Sequence, residues 1–304
     1  MSSDEPQNAN STAGADYSLI GEGEHFKQHL REIRERSTSA GKLLGLPTGF
    51  AELDPLLHGL RPGHFIVIAG RSSVGKSTLA MDFIRACAVG KRRTPVGLFS
   101  LEMGRQEITQ RLISATSSVD LRRIRGGDMR DEDWGRVDRR SGDVKNAPIY
   151  LDTSPNLTLM DIQAKARRLV QHHGVQLLVI DHLRLVKLSG STETWLEQAP
   201  EMIRSLKVLA KDLKVPVVAT FGLGYGPNRH EGSIPPGLHH LDVAAIEQHA
   251  DTVILLHRED LDNQESPRAG EADLIVAKNR HGATATITVA FQGPYSRFVD
   301  MAHG

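Results

Sequence analysis

The segment that most limits what this chain can fold into is Gly70-Arg71-Ser72-Ser73-Val74-Gly75-Lys76-Ser77-Thr78, set between the apolar run FIVIAG (65–70) and the helix-patterned LAMDFIRACA. It is a G-x-x-x-x-G-K-[ST] loop in strand-to-helix context. Its four fixed positions arise by chance in roughly one chain in a hundred of this length. The glycines let the backbone turn tightly, so that successive N–H groups and the helix N-terminus converge on phosphate oxygens. Lys76 is placed to reach the β- and γ-phosphates of a nucleotide, and the Ser77 hydroxyl to bind Mg²⁺. The candidate nucleotide contacts are therefore Gly70, Ser72, Ser73, Val74, Gly75, Lys76, Ser77 and Thr78.

The rest of the chain repeats the same alternation. VGLFS (96–100), IYLD (149–152), LLVID (177–181) and VPVVAT (215–220) are short runs rich in Val, Ile and Leu, as expected of strands buried on both faces. Helical patterns lie between them at 77–89, 105–116, 158–172 and 200–214, the last with Pro200 in a first-turn position. Strands alternating with helices of this length predict an α/β fold, a mostly parallel central sheet with helices on both faces. The final segments, TVILLH, ADLIVAK, TATITVAF and SRFVDM, follow one another without a long helix and predict an antiparallel C-terminal edge to the same sheet.

Three regions are expected. Residues 1–20 have almost nothing to bury and read as a disordered tail. Residues 21–42 hold an amphipathic helix, with Phe26, Leu30 and Ile33 at i, i+4, i+7, and a loop. A lone helix this short is marginal in water, so it is expected to dock on its own domain or on a neighbouring subunit. Residues 43–304 form the single α/β domain.

Two carboxylates stand at predicted strand ends. Asp181 closes LLVID, where a parallel strand delivers it beside the phosphate loop as support for the metal. Glu102, just after VGLFS, can face a γ-phosphate and orient or deprotonate an attacking water, or serve only as a favourable charge before a helix. His239, His240 and His249 lie close in sequence but show no metal-ligand spacing, and no G-x-S-x-G elbow supports a Ser/His/Asp hydrolase. Arg122, Arg123, Arg125, Arg136, Arg139 and Arg140 read as solvated helix faces balanced by Asp128, Asp131, Glu132 and Asp133, with a base or interface role open for Arg123 or Arg125.

Composition sets outer bounds. With 37 Lys and Arg against 37 Asp and Glu, the chain has no positive field with which to coat nucleic acid, although a local basic channel remains compatible. Cys87 is the single cysteine, which excludes an internal disulfide and suits a reducing cytoplasm. No apolar run approaches the ~18 residues of a membrane span, and the acidic start is unlike a signal peptide.

Taken together, LPTGFAELDPLLHGLRPGHFIVIAGRSSVGKST, LFSLEM, RIRGGDMRDEDW, LLVIDHLRLV, IRSLKVLAKDLKVPVVA, AAIEQHADTVILLHRED and IVAKNRHG resemble the C-terminal motor domain of DnaB-type bacterial replicative helicases, over about residues 43–302. The resemblance implies a RecA-like fold that hydrolyses ATP with Mg²⁺, Glu102 as the catalytic carboxylate and Asp181 supporting the metal. It implies a hexameric ring translocating on single-stranded DNA and unwinding duplex during replication. Lys278 and Arg280 in AKNRHG match the basic pair that reaches the γ-phosphate of the adjacent subunit's site; by composition alone, K-N-R-H-G is turn chemistry. The helix at 23–36 matches the family's linker helix.

Three features depart from the family. Only about forty residues precede the motor, so primase or loader contacts that depend on the family's N-terminal domain are not expected. Gly222 stands where the family carries a glutamine, and Leu241 where it carries an arginine facing DNA. The loop 221–242, rich in Gly and Pro and carrying Arg229, is the candidate DNA contact. These departures keep a second expectation alive, a regulatory or partner-binding ATPase that does not unwind.

Overall fold

In the computed structural model the described residues are 26–28, 30–31, 33–34, 43–89, 93–187, 194–224 and 235–302. The chain divides into two units, Met1–Lys42 and Leu43–Gly304. In the first, residues 26–28, 30–31 and 33–34 are helical, with Phe26, Leu30 and Ile33 exposed. The tail expected over 1–20 lies outside the described residues.

Among the described residues, the second unit is built on one nine-stranded sheet. Its strands are β1 (Phe65–Gly70), β2 (Val96–Ser100), β3 (Ile149–Asp152), β4 (Leu177–Asp181), β5 (Val217–Gly222), β6 (Thr252–His257), β7 (Glu271–Asn279), β8 (Ala285–Gln292) and β9 (Arg297–Asp300). They lie in the order β3-β2-β4-β5-β1-β6-β7-β8-β9. Every pairing from β3 across to β6 is parallel, and β6–β7, β7–β8 and β8–β9 are antiparallel. The antiparallel edge therefore begins one strand later than its sequence pattern suggests, because TVILLH pairs in parallel with β1 and lies inside the sheet.

Alternation along each strand divides the core between two faces. Phe65, Val67 and Ala69 of β1 pack on one side with Ile162, Ile203 and Leu206, while Ile66 and Ile68 pack on the other with Leu79 and Phe83. The helices are α1 (Leu53–Leu57), α2 (Lys76–Ile84), α3 (Arg105–Ser117), α4 (Leu121–Gly126), α5 (Asp131–Lys145), α6 (Leu159–His173), α7 (Trp195–Leu213) and α8 (Ala244–His249). Beyond α2 a π-helical turn covers Arg85–Val89.

Two expectations need correction. Helix α7 starts five residues before Pro200, because Thr194 and Glu197 form a capping box: the Thr194 N–H and hydroxyl donate to Glu197 Oε2 at 2.7 and 2.8 Å. Pro200 thus sits inside the helix, where it forgoes one backbone bond. Strand β5 runs on through Phe221 and Gly222, which pair with Ala69 and Gly70 rather than opening a loop.

Candidate nucleotide site

Four parallel strands end side by side, and their carboxyl ends build the site. Gly70 of β1 lies beside Gly222 of β5, and Ser100 of β2 beside Asp181 of β4. Above these ends opens a cleft of about 1000 Å³, lined among others by Ser72, Ser73, Gly75, Lys76, Ser77, Thr78, Glu102, Arg111, His182, Arg184 and Gly222. A smaller hollow of about 540 Å³ along the outer strand β3, lined by Tyr150, Lys165, Arg168 and His173, shares no residue with it.

The loop requires its glycines at two places. Gly75, the residue before α2, has φ 111°, and a Cβ there would lie 2.7 Å from Phe298 Cζ. A Cβ on Gly70 would meet Val74 Cγ1 at 2.8 Å and the Leu256 carbonyl oxygen at 2.9 Å. No side chain caps the N-terminus of α2, so its first N–H groups face the cleft without intrahelical partners. With the helix dipole behind them they form a ready anion cradle.

Lys76 is 9% exposed, and its Nζ donates to the Arg71 carbonyl of the same loop at 2.8 Å. Burial lowers its pKa, while Glu102 first and Asp181 second hold the ammonium charged. The loop is pinned at its start by Arg71, whose guanidinium pairs with both carboxylate oxygens of Asp262.

Asp181 is 2% exposed. Its Oδ1 accepts from Ser77 Oγ at 3.0 Å and from the Thr220 hydroxyl, whereas Oδ2 is buried with no hydrogen-bond partner among the described residues. Burial raises its pKa against the pull of those hydroxyls and of Lys76. A buried carboxylate oxygen without a donor, next to the Ser77 hydroxyl, suits a hard cation that keeps several waters and takes oxygen ligands, as Mg²⁺ does. The donor set fits that ion. Ser77 and Asp181 would hold it, and it would supply charge neutralisation to phosphate oxygens.

Glu102 is exposed at the cleft. A tight turn sets its position: Ser100 Oγ donates to the Met103 carbonyl at 2.9 Å and accepts from the Met103 N–H at 3.2 Å, and Leu101 N–H donates to the Asp181 carbonyl at 2.6 Å. The backbone of Asp181 thereby positions the segment that carries Glu102.

Lys278 and Arg280 are not brought to this cleft. Lys278 Nζ donates to the carbonyls of Glu247 and Ala250, the latter at 2.7 Å, and Arg280 Nη2 to that of Gln248 at 3.2 Å, so both sit on the C-terminal end of α8. The Arg280 N–H donates to the Asp251 carbonyl at 2.8 Å, and Asp251 in turn bonds Phe65 at the opposite end of β1 from the phosphate loop. Arg123 and Arg125 are committed to Asp133 and Glu107 at 2.9 and 2.7 Å. Residues 225–234 of the candidate DNA loop, with Arg229, lie outside the described residues, and Leu241 is 9% exposed, packed in the core. Among the described residues no three His, Cys, Asp or Glu side chains cluster as a metal site.

Several residues in and beneath the cleft carried no sequence signal of their own. Thr220 lies within a strand otherwise read as core. Arg184 donates through Nε to the Gly222 carbonyl at 3.2 Å, pairs with Asp242, and lies over the Trp195 and Phe221 rings at 5.1 and 4.7 Å. His182 is held neutral, its pKa lowered to about 4 by burial, Lys76 and Arg184.

A phosphate loop between strand and helix, a neighbouring strand-end aspartate and a mostly parallel sheet with an antiparallel flank define a RecA-like P-loop ATPase domain. The family model of the DnaB-like helicase C-terminal domain matches residues 45–300, and the chain belongs to that family. It is 48% identical over 273 residues to the replicative DNA helicase DnaB of Leifsonia xyli subsp. xyli, covering 90% of this chain and 60% of that protein. It is 37% identical over 262 residues to the DnaB of Geobacillus stearothermophilus, covering 86% and 58%. Thus the chain spans less than two thirds of these relatives' length. Among solved structures it is similar to a DnaB-like replicative helicase described with its interactions with primase, with a TM-score of 0.81 at 29% identity, over 90% of this chain and 68% of that one. A solved ATPase domain gives 0.82 at 28%, over 92% and 100%.

Proposed function

We propose that this chain is the motor of a replicative DNA helicase, hydrolysing ATP with Mg²⁺ to move along single-stranded DNA and open duplex. The observation that carries the reading is the convergence of the Gly75–Thr78 cradle, the Ser77–Asp181 pair and Glu102 on one cleft. In this reading Lys76 and the loop N–H groups bind the β- and γ-phosphates, and Ser77 and Asp181 hold the magnesium shell. Glu102 orients or deprotonates the attacking water. Lys278 and Arg280, at the far end of β1 from their own loop, act on the γ-phosphate of the adjacent subunit in a hexameric ring.

The exposed Phe26, Leu30 and Ile33 support a linker helix that packs on a neighbour. The three-part division, a tail at 1–20, a helix and loop at 21–42 and a motor at 43–304, belongs to this reading. The loop within 221–242, beyond the end of β5, is the proposed DNA contact. A place in the cytoplasm belongs to the same reading; among the described residues no helix is long and apolar enough to cross a membrane. The test is ATP turnover with and without single-stranded DNA, together with opening of a forked duplex. DNA-stimulated turnover with opening supports a helicase, and turnover without opening supports a regulatory ATPase.

A further inference from the structure

We infer that His182 contacts the terminal phosphate of the bound nucleotide, donating a hydrogen bond from Nε2 across the surface of Gly222. The inference rests on the reading of the cleft as an ATP site. Gly222 ends β5 directly beside Gly70, where the phosphate loop begins, yet it brings no side chain to the cleft. A Cβ built there would lie 3.3 Å from His182 Nε2 and 3.5 Å from Cε1. The imidazole from the tip of β4 thus occupies the space that a side chain on β5 would use, and it lines the same cleft as Lys76, Ser77 and Glu102.

The hydrogen bonding around the ring fixes which nitrogen can donate. His182 Nδ1 accepts from the Arg184 N–H at 3.3 Å. A neutral imidazole whose Nδ1 is an acceptor carries its proton on Nε2. Nε2–H is therefore the ring's remaining donor, located at the Gly222 side of the cleft. Arg184, which supplies the N–H, is itself braced by the Gly222 carbonyl, by Asp242 and by the faces of Trp195 and Phe221. A donor held on a braced backbone is pre-organised for an anion, and one such charge-assisted bond is worth about 10–100-fold in affinity.

The experiment is equilibrium titration of the full chain, with Mg²⁺, by a fluorescent non-hydrolysable ATP analogue and by the matching ADP. His182→Phe keeps the ring's bulk and removes the donor, whereas His182→Gln restores an N–H near the Nε2 position. The phenylalanine variant should lose about 10–100-fold in affinity for the triphosphate and stay within about twofold for ADP. The glutamine variant should recover most of the loss. Should His182→Phe not fold, His182→Leu is read by the same ratio. Triphosphate affinity that is unchanged, or lost equally with ADP, overturns the inference and leaves His182 a packing residue. Absence of nucleotide binding by the wild-type chain overturns the underlying ATP reading, a result distinct from either.

Discussion

Arg280→Ala combined with Lys76→Ala provides a sharp test of how the site is completed. Strand β1 carries six residues, from Phe65, bonded to Asp251, to Gly70 at the phosphate loop. At ~3.3 Å per residue the two ends are roughly 17 Å apart, beyond one guanidinium's reach. Arg280 is hydrogen-bonded to the Asp251 carbonyl at the Phe65 end, so it cannot serve its own cleft. Its side chain is 46% exposed, with one hydrogen bond at 3.2 Å and an ion pair to Asp251 at 3.7 Å. Removing it should therefore cost about 1 kcal/mol of stability or less. As a trans-acting arginine it should nonetheless support a factor of about 10³–10⁵ in turnover. Each variant alone is then inactive, one lacking phosphate binding and the other the arginine. In a 1:1 mixture of head-to-tail rings about one interface in four joins an intact loop to an intact arginine, so about a quarter of wild-type turnover should return. Steady-state phosphate release after mixing and reassembly reads this directly. No recovery, or full activity of Arg280→Ala alone, would refute the trans assignment.

Further outcomes follow from the same geometry. Gly75→Ala forces an L-residue to φ 111° with its Cβ 2.7 Å from Phe298 Cζ, and should cost about 2–4 kcal/mol in denaturant unfolding. A loss below about 1 kcal/mol would show that the loop relaxes freely. Asp181→Asn keeps an acceptor for Ser77 and Thr220 but removes the charge, so thermal stability should hold while Mg²⁺-dependent ATP affinity falls; affinity that survives would count against metal support. Asp82, buried and bonded to the Phe298 N–H at 2.7 Å, has its pKa raised by burial from 3.8 to about 6. The folded chain therefore takes up a proton that the unfolded chain does not, over about pH 4 to 6. Stability from this group is present below that window and is lost as pH rises through it. Relative to Asp82→Asn, the wild type should gain up to about 3 kcal/mol between pH 7 and 4, and a flat difference would contradict the shift.

The parts of the site that were legible in the sequence are local ones. The phosphate loop is contiguous, and Glu102 and Asp181 each follow an apolar run whose length marks a strand end. The parallel sheet was legible because its strands are buried on both faces and show it in composition. What remained hidden depends on register. That Gly222 lies beside Gly70 follows only from the pairing of β5 with β1, and that His182 covers it from the pairing of β4 with β5. Thr220 reaches Asp181 through the pairing of β5 with β4. The start of α7 was written in Thr194 and Glu197, but Pro200 drew the boundary because proline favours first turns. Lys278 and Arg280 read as turn chemistry until the resemblance suggested a partner for them, since a contact between subunits would leave no periodic trace in one chain. Leu241, read as a substituted DNA contact, is a core residue.

Movement on DNA driven by this cleft is open to one decisive assay on the purified chain: ATP turnover with and without single-stranded DNA, read alongside opening of a forked duplex. DNA should accelerate turnover, the fork should open, and Lys76→Ala should abolish both. Turnover indifferent to DNA, with the fork left closed, would rule out a DNA-driven motor here.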